Sequence, residues 1–261
     1  MAVGKLVVFA ALLLCLAGTA VACIPPPKWA IMPDSDDAPP PVVFPAAPAP
    51  RPVVDWRARG AVTAPKNQGW LDSCWAMAAV GAIEGLHTIT TGKLVSLSSQ
   101  EVFDCADPNL IHSRPKAFDW VVRNGGVASE ADYPYMGREQ ECKRQMLNKI
   151  AASIKGYMAN VNSEADLLMA VARQPVAIKM RLDPATFSAY RGGLFTGPCG
   201  DDLHAMLLVG HGSTSDGKRY WIIKNSYGVH WGDKGYLYVQ RGPDSGVGLC
   251  GLAYNGAYPT N

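Results

Sequence analysis

Seven cysteines and five histidines supply the nucleophiles and neutral-range bases available to this chain. One cysteine stands out by position. Asp72-Ser73 can cap a helix running through Cys74-Trp75-Ala76-Met77-Ala78-Ala79-Val80 to about Thr90, with Gly92 just past its end. Helix N-termini leave backbone N–H groups unpaired and favour negative charge. A thiol in the first turn has its thiolate stabilised there, and the thiolate is the nucleophile. The alternative is a buried structural cysteine, a common fate for this residue. The base would come from His87, His112, His204, His211 or His230. His211 lies two residues past an expected strand and His230 in a Gly-containing turn, so position alone does not choose.

The elements that must position these groups fall into two halves. In the Cys74 helix, Trp75, Ala79, Ile83 and Leu86 share one face at helical spacing, which predicts a buried face. Ser98 with Glu101 reads as a capping box opening a short helix through Phe103. Pro115 can start another helix, and Asn124-Gly125 can stop it. Ser163 opens a further one through Leu167, Leu168 and Val171, ended by Pro175. The last third instead holds short apolar runs: Val176-Ala177-Ile178, Met206-Leu207-Leu208-Val209, Tyr220-Trp221-Ile222-Ile223 and Tyr236-Leu237-Tyr238-Val239. They read as strands. Helices first and strands second predict an α+β protein with a helical lobe and a sheet lobe.

Composition bounds the rest. With 48% hydrophobic and 18% charged residues the 261-residue chain can pack a core, and a net charge of +2 gives no reason to expect nucleic acid or an anionic membrane. Lys5, an apolar run from Leu6 to Ala17 and Ala20-Val21-Ala22 before Cys23 have the layout of a secretory signal. The run is shorter than the roughly 20 residues a membrane-spanning helix needs. From Cys23 to Pro52 come eleven of the chain's 20 prolines, predicting an extended leader or linker. Export implies an oxidising compartment, where cysteines pair. Setting aside Cys15 in the signal, Cys23 in the leader and Cys74 as a free nucleophile, four cysteines remain and allow three connectivities.

A longer set of motifs carries a resemblance. Asp55-Trp56-Arg57, Gly60-Ala61-Val62-Thr63, Lys66-Asn67-Gln68-Gly69 and Ser73-Cys74-Trp75 come first. Ser99-Gln100-Glu101, Asp104-Cys105 and Tyr133-Pro134-Tyr135 follow. Then come Tyr190-Arg191-Gly192-Gly193-Leu194-Phe195, Gly197-Pro198-Cys199-Gly200, His204-Ala205, Lys224-Asn225-Ser226 and Trp231-Gly232. In this order, over about Val53 to Pro259, they resemble the papain-like cysteine proteases. That family places its His and Asn about 130 to 150 residues after the Cys. Here His204 lies 130 and Asn225 151 residues after Cys74.

The resemblance implies a two-lobed fold, with a helical N-terminal lobe, a β-barrel-like C-terminal lobe and the active site in the cleft between them. It implies that Cys74 attacks the peptide carbonyl, that His204 is its imidazolium partner and that Asn225 orients His204. Gln68 would join the Cys74 backbone N–H in the oxyanion hole, and Trp231 would shield the His–Asn bond. Cys105 would pair with Cys142 and Cys199 with Cys250. Neither cofactor nor metal is implied.

The chain also departs from the family's pattern. Gln68-Gly69-Trp70-Leu71-Asp72-Ser73-Cys74-Trp75 has Leu71 where a cysteine is usual, and the Cys-Asn-Gly-Gly stretch holding its partner is absent after Cys105. Both halves of one bridge are missing together. The lost glycines would have bound substrate backbone. Asp72 replaces a glycine and sets a carboxylate near the thiolate, opposing the helix dipole, unless it only caps the helix and points to solvent. Lys179 stands where small or apolar residues line the pocket for the second substrate residue. Leu203 and Tyr227 replace a polar residue and a Trp near the His and Asn. Upstream, the short Pro-rich leader stands in place of a helical inhibitory prodomain.

These readings give a signal peptide over 1–22, a leader over 23–52 and a papain-like peptidase domain over 53–261. The expected protein is a secreted cysteine-type endopeptidase, extracellular or in a vacuole or lysosome, and monomeric. Its partners would be peptide or protein substrates and cystatin-like inhibitors, with no nucleic acid and no membrane after signal removal. The alternatives are a catalytically weak homologue that binds peptides or inhibitors, and a storage or structural protein. Retention of Cys74, His204, Asn225 and Gln68 favours the enzyme.

Overall fold

A computed structural model of the chain describes residues 25, 42–43, 51–106, 114–242 and 246–261. The expected signal and most of the expected leader lie outside these residues.

Helix α1 runs over Cys74–Thr91 with Ser73 as N-cap, and Gly92 ends it at φ 74°. Glycine adopts that left-handed conformation without steric cost. The sequence predicts one buried face, yet every residue from Cys74 to Gly85 is buried. The helix is rich in Ala and Gly, so neighbours approach it on all sides. Helices α2 (Ser99–Cys105) and α3 (Arg114–Asn124) pack against it and complete the helical lobe. At the start of α2 half of the expected capping box forms. Ser98 Oγ accepts the Glu101 N–H at 3.0 Å, while the Glu101 carboxylate takes the Ala128 N–H at 2.6 Å.

The sheet lobe is one eight-stranded sheet. Its strands are β2 (Arg51–Asp55), β3 (Gly156–Val161), β4 (Val176–Leu182), β6 (Leu194–Phe195), β7 (Asp202–Ser213), β8 (Arg219–Lys224), β9 (Tyr236–Gln240) and β10 (Gly256–Thr260). The order is β3-β10-β4-β7-β8-β9-β6, with β2 added on β7. Only β6 and β9 run parallel in it. The first strand, β1 (Val42–Val43), pairs instead with β5 (Tyr190–Gly192). Arg51 and Pro52, compositionally part of the leader, pair with Ser213 and Gly212 of β7. Gly210 makes that docking possible, since a Cβ there would stand 2.2 Å from the Val54 carbonyl oxygen. Helices α4 (Glu164–Val171) and α5 (Pro184–Ala189) are capped by Ser163 and Asp183.

Two cores explain why the predicted strands read as unbroken apolar runs. Ile178, Met180, Met206, Leu208, Trp221 and Ile223 face one core with Phe187, Tyr190 and Trp231. The alternating residues Ala177, Ala205, Leu207, Val209, Tyr220 and Ile222 face the other, with α1, Val102 and Phe118. Side chains alternate along a strand, so both faces of the central sheet are covered. The two bridges Cys105–Cys142 and Cys199–Cys250 are formed. Among the described residues no helix is long and apolar enough to cross a membrane.

Candidate active site

The first turn of α1 meets β7 at the seam of the lobes, and the fold brings Cys74 and His204 together there. Cys74 is 1% exposed, and its Sγ accepts the N–H of Ala205 at 3.3 Å.

His204 sits where β7 extends past β8. Its ladder partner is Met180 on β4, while pairing to β8 begins only at Leu207–Lys224. Asn225 follows β8 directly and curls back, so that His204 Nε2 and Asn225 Oδ1 are 2.8 Å apart. An amide oxygen can only accept, so Nε2 donates and Nδ1 carries the lone pair. Nδ1 is buried and has no hydrogen-bond partner. Burial holds the imidazole down at about 4, although the Asn225 bond favours its charged form. At neutral pH the imidazole is therefore uncharged.

Gln68 is 1% exposed and tethered at both ends of its amide. Oε1 accepts from Ser226 Oγ at 2.6 Å, and Nε2 donates to the Leu71 carbonyl at 3.3 Å. The amide carries a second N–H, which the long Leu71 bond leaves available. Tyr135 holds the loop from beneath, its hydroxyl donating to the Gln68 carbonyl at 2.8 Å and lying 2.7 Å from Ser73 Oγ. Ser73 is thereby drawn off the capping duty expected of it. Asp72 is partly exposed, and its carbonyl accepts Trp75 Nε1–H at 3.1 Å.

The aromatic cover has two layers. Trp231 is fully buried, bonds the Phe187 carbonyl through Nε1 and makes no direct ring contact with His204. It is Tyr227, 5.0 Å between centroids, and Phe187, 5.5 Å, that pack on the imidazole. Trp231 stands behind both, 5.5 Å from Tyr227 and 4.8 Å from Phe187. Trp231, without exposed surface, supports those two rings from behind. Among the other histidines, His211 lies seven residues along β7, roughly 23 Å away at strand rise, packed on Trp221. His230 is exposed and His87 half-buried, and His112 lies outside the described residues.

One supporting group escaped the sequence reading. Lys224 Nζ donates to Thr63 Oγ1 at 2.9 Å, and Thr63 Oγ1 donates to Glu84 Oε2 at 2.6 Å. Glu84 Oε1 also takes the Leu97 N–H and lies 3.5 Å from Lys66 Nζ, which contacts Glu130 at 2.9 Å. This network joins α1, through Glu84, to the end of β8 beside Asn225. Burial lowers Lys224 to about 8, opposed by the Glu84 charge. The signal was present in Lys66 and Lys224, two cations inside the motifs that carry the resemblance, but their carboxylate partners lie in remote segments. Among the described residues no cluster of His, Cys, Asp or Glu is placed to hold a metal.

Comparison with known proteins agrees with this geometry. Residues 50–260 match the model of the papain family cysteine proteases. The chain is 43% identical over 218 residues to the senescence-specific cysteine protease SAG39 of Oryza sativa subsp. indica, covering 79% of this chain and 62% of that one. It is 45% identical over 213 residues to vignain of Ricinus communis, covering 79% and 59%. The chain thus spans about three fifths of the length of these relatives. Among solved structures, the bromelain protease of Ananas comosus with a bound inhibitor superposes with a TM-score of 0.74 at 39% identity, covering 79% of this chain and 97% of that one. The proform of the Amb a 11 cysteine protease, a ragweed pollen allergen, gives 0.75 at 39%, covering 83% and 66%. With the Cys74, His204, Asn225 and Gln68 positions gathered at one seam, the chain belongs to the papain family of cysteine proteases.

Proposed function

We propose that this chain is a cysteine endopeptidase of the secretory route, cutting peptide bonds through a Cys74 thiolate and His204. The observation that carries the reading is the 2.8 Å bond from His204 Nε2 to Asn225 Oδ1. It puts the proton on Nε2 and leaves Nδ1 as a base, one residue from the Ala205 N–H that meets Cys74 Sγ.

Chemistry begins with proton transfer from the Cys74 thiol to His204, which gives a thiolate–imidazolium pair. Cys74 attacks the peptide carbonyl, and the oxyanion is met by the Gln68 amide and the Cys74 backbone N–H. His204 protonates the leaving amine, then deprotonates the water that releases the acid and restores Cys74. Asn225 fixes the ring, and Tyr227 with Phe187 keeps water from its bond. The same reading keeps 1–22 as a signal and 23–52 as a leader. It also keeps a monomer, peptide or protein substrates, cystatin-like inhibitors and an extracellular, vacuolar or lysosomal destination.

A peptide- or inhibitor-binding homologue is the second reading, favoured by the burial that holds His204 down at about 4 and so opposes the imidazolium. Both are tested on protein reduced with a mild dithiol and freed of it. Iodoacetamide labelling is followed against pH with Cys74→Ala as control, and a peptide mixture is assayed for cleavage. Fast labelling down to about pH 5 with cleavage is expected for the peptidase. Labelling only near the ordinary thiol pKa of about 8.5, with every peptide intact, overturns it in favour of the binding protein.

A further inference from the structure

The strand next to the nucleophile carries charge that nothing in the described residues balances. On β4, Lys179 and Arg181 point to the same side. Lys179 pairs in register with Ala205, whose N–H meets Cys74 Sγ, and Met180 pairs with His204. Directly opposed residues have Cβ atoms about 5 Å apart, so the stem of Lys179 starts one strand away from the reacting pair. Its Nζ lies over the Tyr254 ring, 5.7 Å from the centroid.

The other lobe sends a second cation to the same turn. Arg114, the first residue of α3, donates from Nη2 to the carbonyl of Asn255 at 2.9 Å, one residue past Tyr254. Arg114 is 4% exposed, and its Nη1 is buried without a hydrogen-bond partner. Among the described residues no carboxylate forms an ion pair with Arg114 or Lys179. Lys179 has its pKa lowered by burial first and then by the charges of Arg114 and Arg181, both positive. The positive end of the α3 dipole adds to the same side of the balance. Holding Arg114 as a mere tether for the Asn255 carbonyl accounts for Nη2 and leaves Nη1 unexplained. A buried guanidinium with an unused donor is costly to keep, and such groups in native proteins call for a role.

We propose that Arg114, Lys179 and the Tyr254–Asn255 turn form an anion subsite beside Cys74 that receives the side-chain carboxylate of a glutamate or aspartate near the scissile bond of the substrate. The proposal rests on the peptidase reading. It makes Lys179, expected to alter an apolar pocket, one half of a charged one. The guanidinium offers planar donors that suit a carboxylate, and Lys179 adds a point charge. A chain-terminal carboxylate has the same chemistry, so peptides with free and with amidated C-termini separate the two sources.

The test uses the full chain, reduced as above, and N-acetylated peptides randomised around a central segment, with products read by mass spectrometry. Enrichment of Glu or Asp at one position near the cut is expected in the amidated set. The Glu peptide should exceed its Gln isostere in kcat/KM by about tenfold or more. Lys179→Met should reduce that ratio by about tenfold, and Lys179→Glu should move the preference toward Lys or Arg. Apolar preference at every position, with a ratio unchanged by Lys179→Met, overturns the proposal, as does cleavage restricted to free C-terminal acids. If no peptide is cut, the peptidase reading fails and the subsite is judged by binding. Cys74→Ala protein should then bind an acidic peptide about tenfold more tightly than its Gln isostere, and equal binding overturns the proposal.

Discussion

Lys66 and Lys224 at the seam between the lobes, and Arg114 and Lys179 at the Tyr254–Asn255 turn, are all drawn at least partly out of water. The first pair meets Glu84, Glu130 and Thr63 in a network of direct contacts. The second pair meets a backbone carbonyl, a tyrosine ring and each other's charge. Burial asks the same of both, since a desolvated cation needs compensating charge or hydrogen bonds. The seam supplies them from within the chain and ties Asn225 to the helix that carries Cys74. The β4 side does not, and its stability cost is the kind a protein retains where a ligand completes the site. One group is architecture; the other is the subsite proposed for a substrate carboxylate.

The sharpest way to break this contrast is Glu84→Gln. It leaves Lys224 and Lys66 with weaker partners in a buried network, and a loss of about 3 kcal/mol or more is expected in urea unfolding. A change below about 0.5 kcal/mol would mean that the seam cations are not held by Glu84. Arg114→Met is expected to act the other way. It removes a charge without a counter-charge and keeps the apolar stem, so stability should hold or rise by about 1 kcal/mol. Acidic-peptide selectivity should fall with it. A loss as large as that of Glu84→Gln would make Arg114 a structural residue and erase the distinction.

The two regions were also unequally legible from sequence. Cys74, Gln68, His204 and Asn225 lie within short local motifs, so the resemblance those motifs carry announced them, and the Met206–Val209 run put a strand just after His204. One thing in that region was not legible. The choice of Tyr227 over Trp231 as the ring on His204 depends on how the loop after β8 turns. Lys179 is legible as a departure from the family's pattern. Arg114 is not, because its contact with Asn255 spans 141 residues. A signal existed nonetheless: a cation directly before Pro115 sits at the wrong end of a helix dipole, which invites the question of what holds it there.

Charge that can be discarded behaves differently from charge that cannot. Arg114 is lowered only to about 10 and stays protonated at neutral pH, whereas two other buried groups relieve their position by neutralising. Burial lowers His204 from 6.5 to about 4 and raises Glu101 from 4.5 to about 7, the Ala128 N–H opposing the second shift. Between pH 6.5 and 4 the unfolded chain protonates His204 and the folded chain does not, so this group removes stability as pH falls. Between pH 7 and 4.5 the folded chain protonates Glu101 and the unfolded chain does not, so this group adds stability as pH falls. The two contributions oppose each other. Glu101→Gln keeps an acceptor for Ala128 N–H and removes one of them. Relative to the unmodified chain, the variant should therefore lose about 2–3 kcal/mol more between pH 7 and pH 4.5 in urea unfolding. Surface carboxylates are common to both proteins and cancel in the difference. Parallel stability curves would show that Glu101 stays ionised in the folded chain, and that burial without a counter-charge is tolerated there as it is at Arg114.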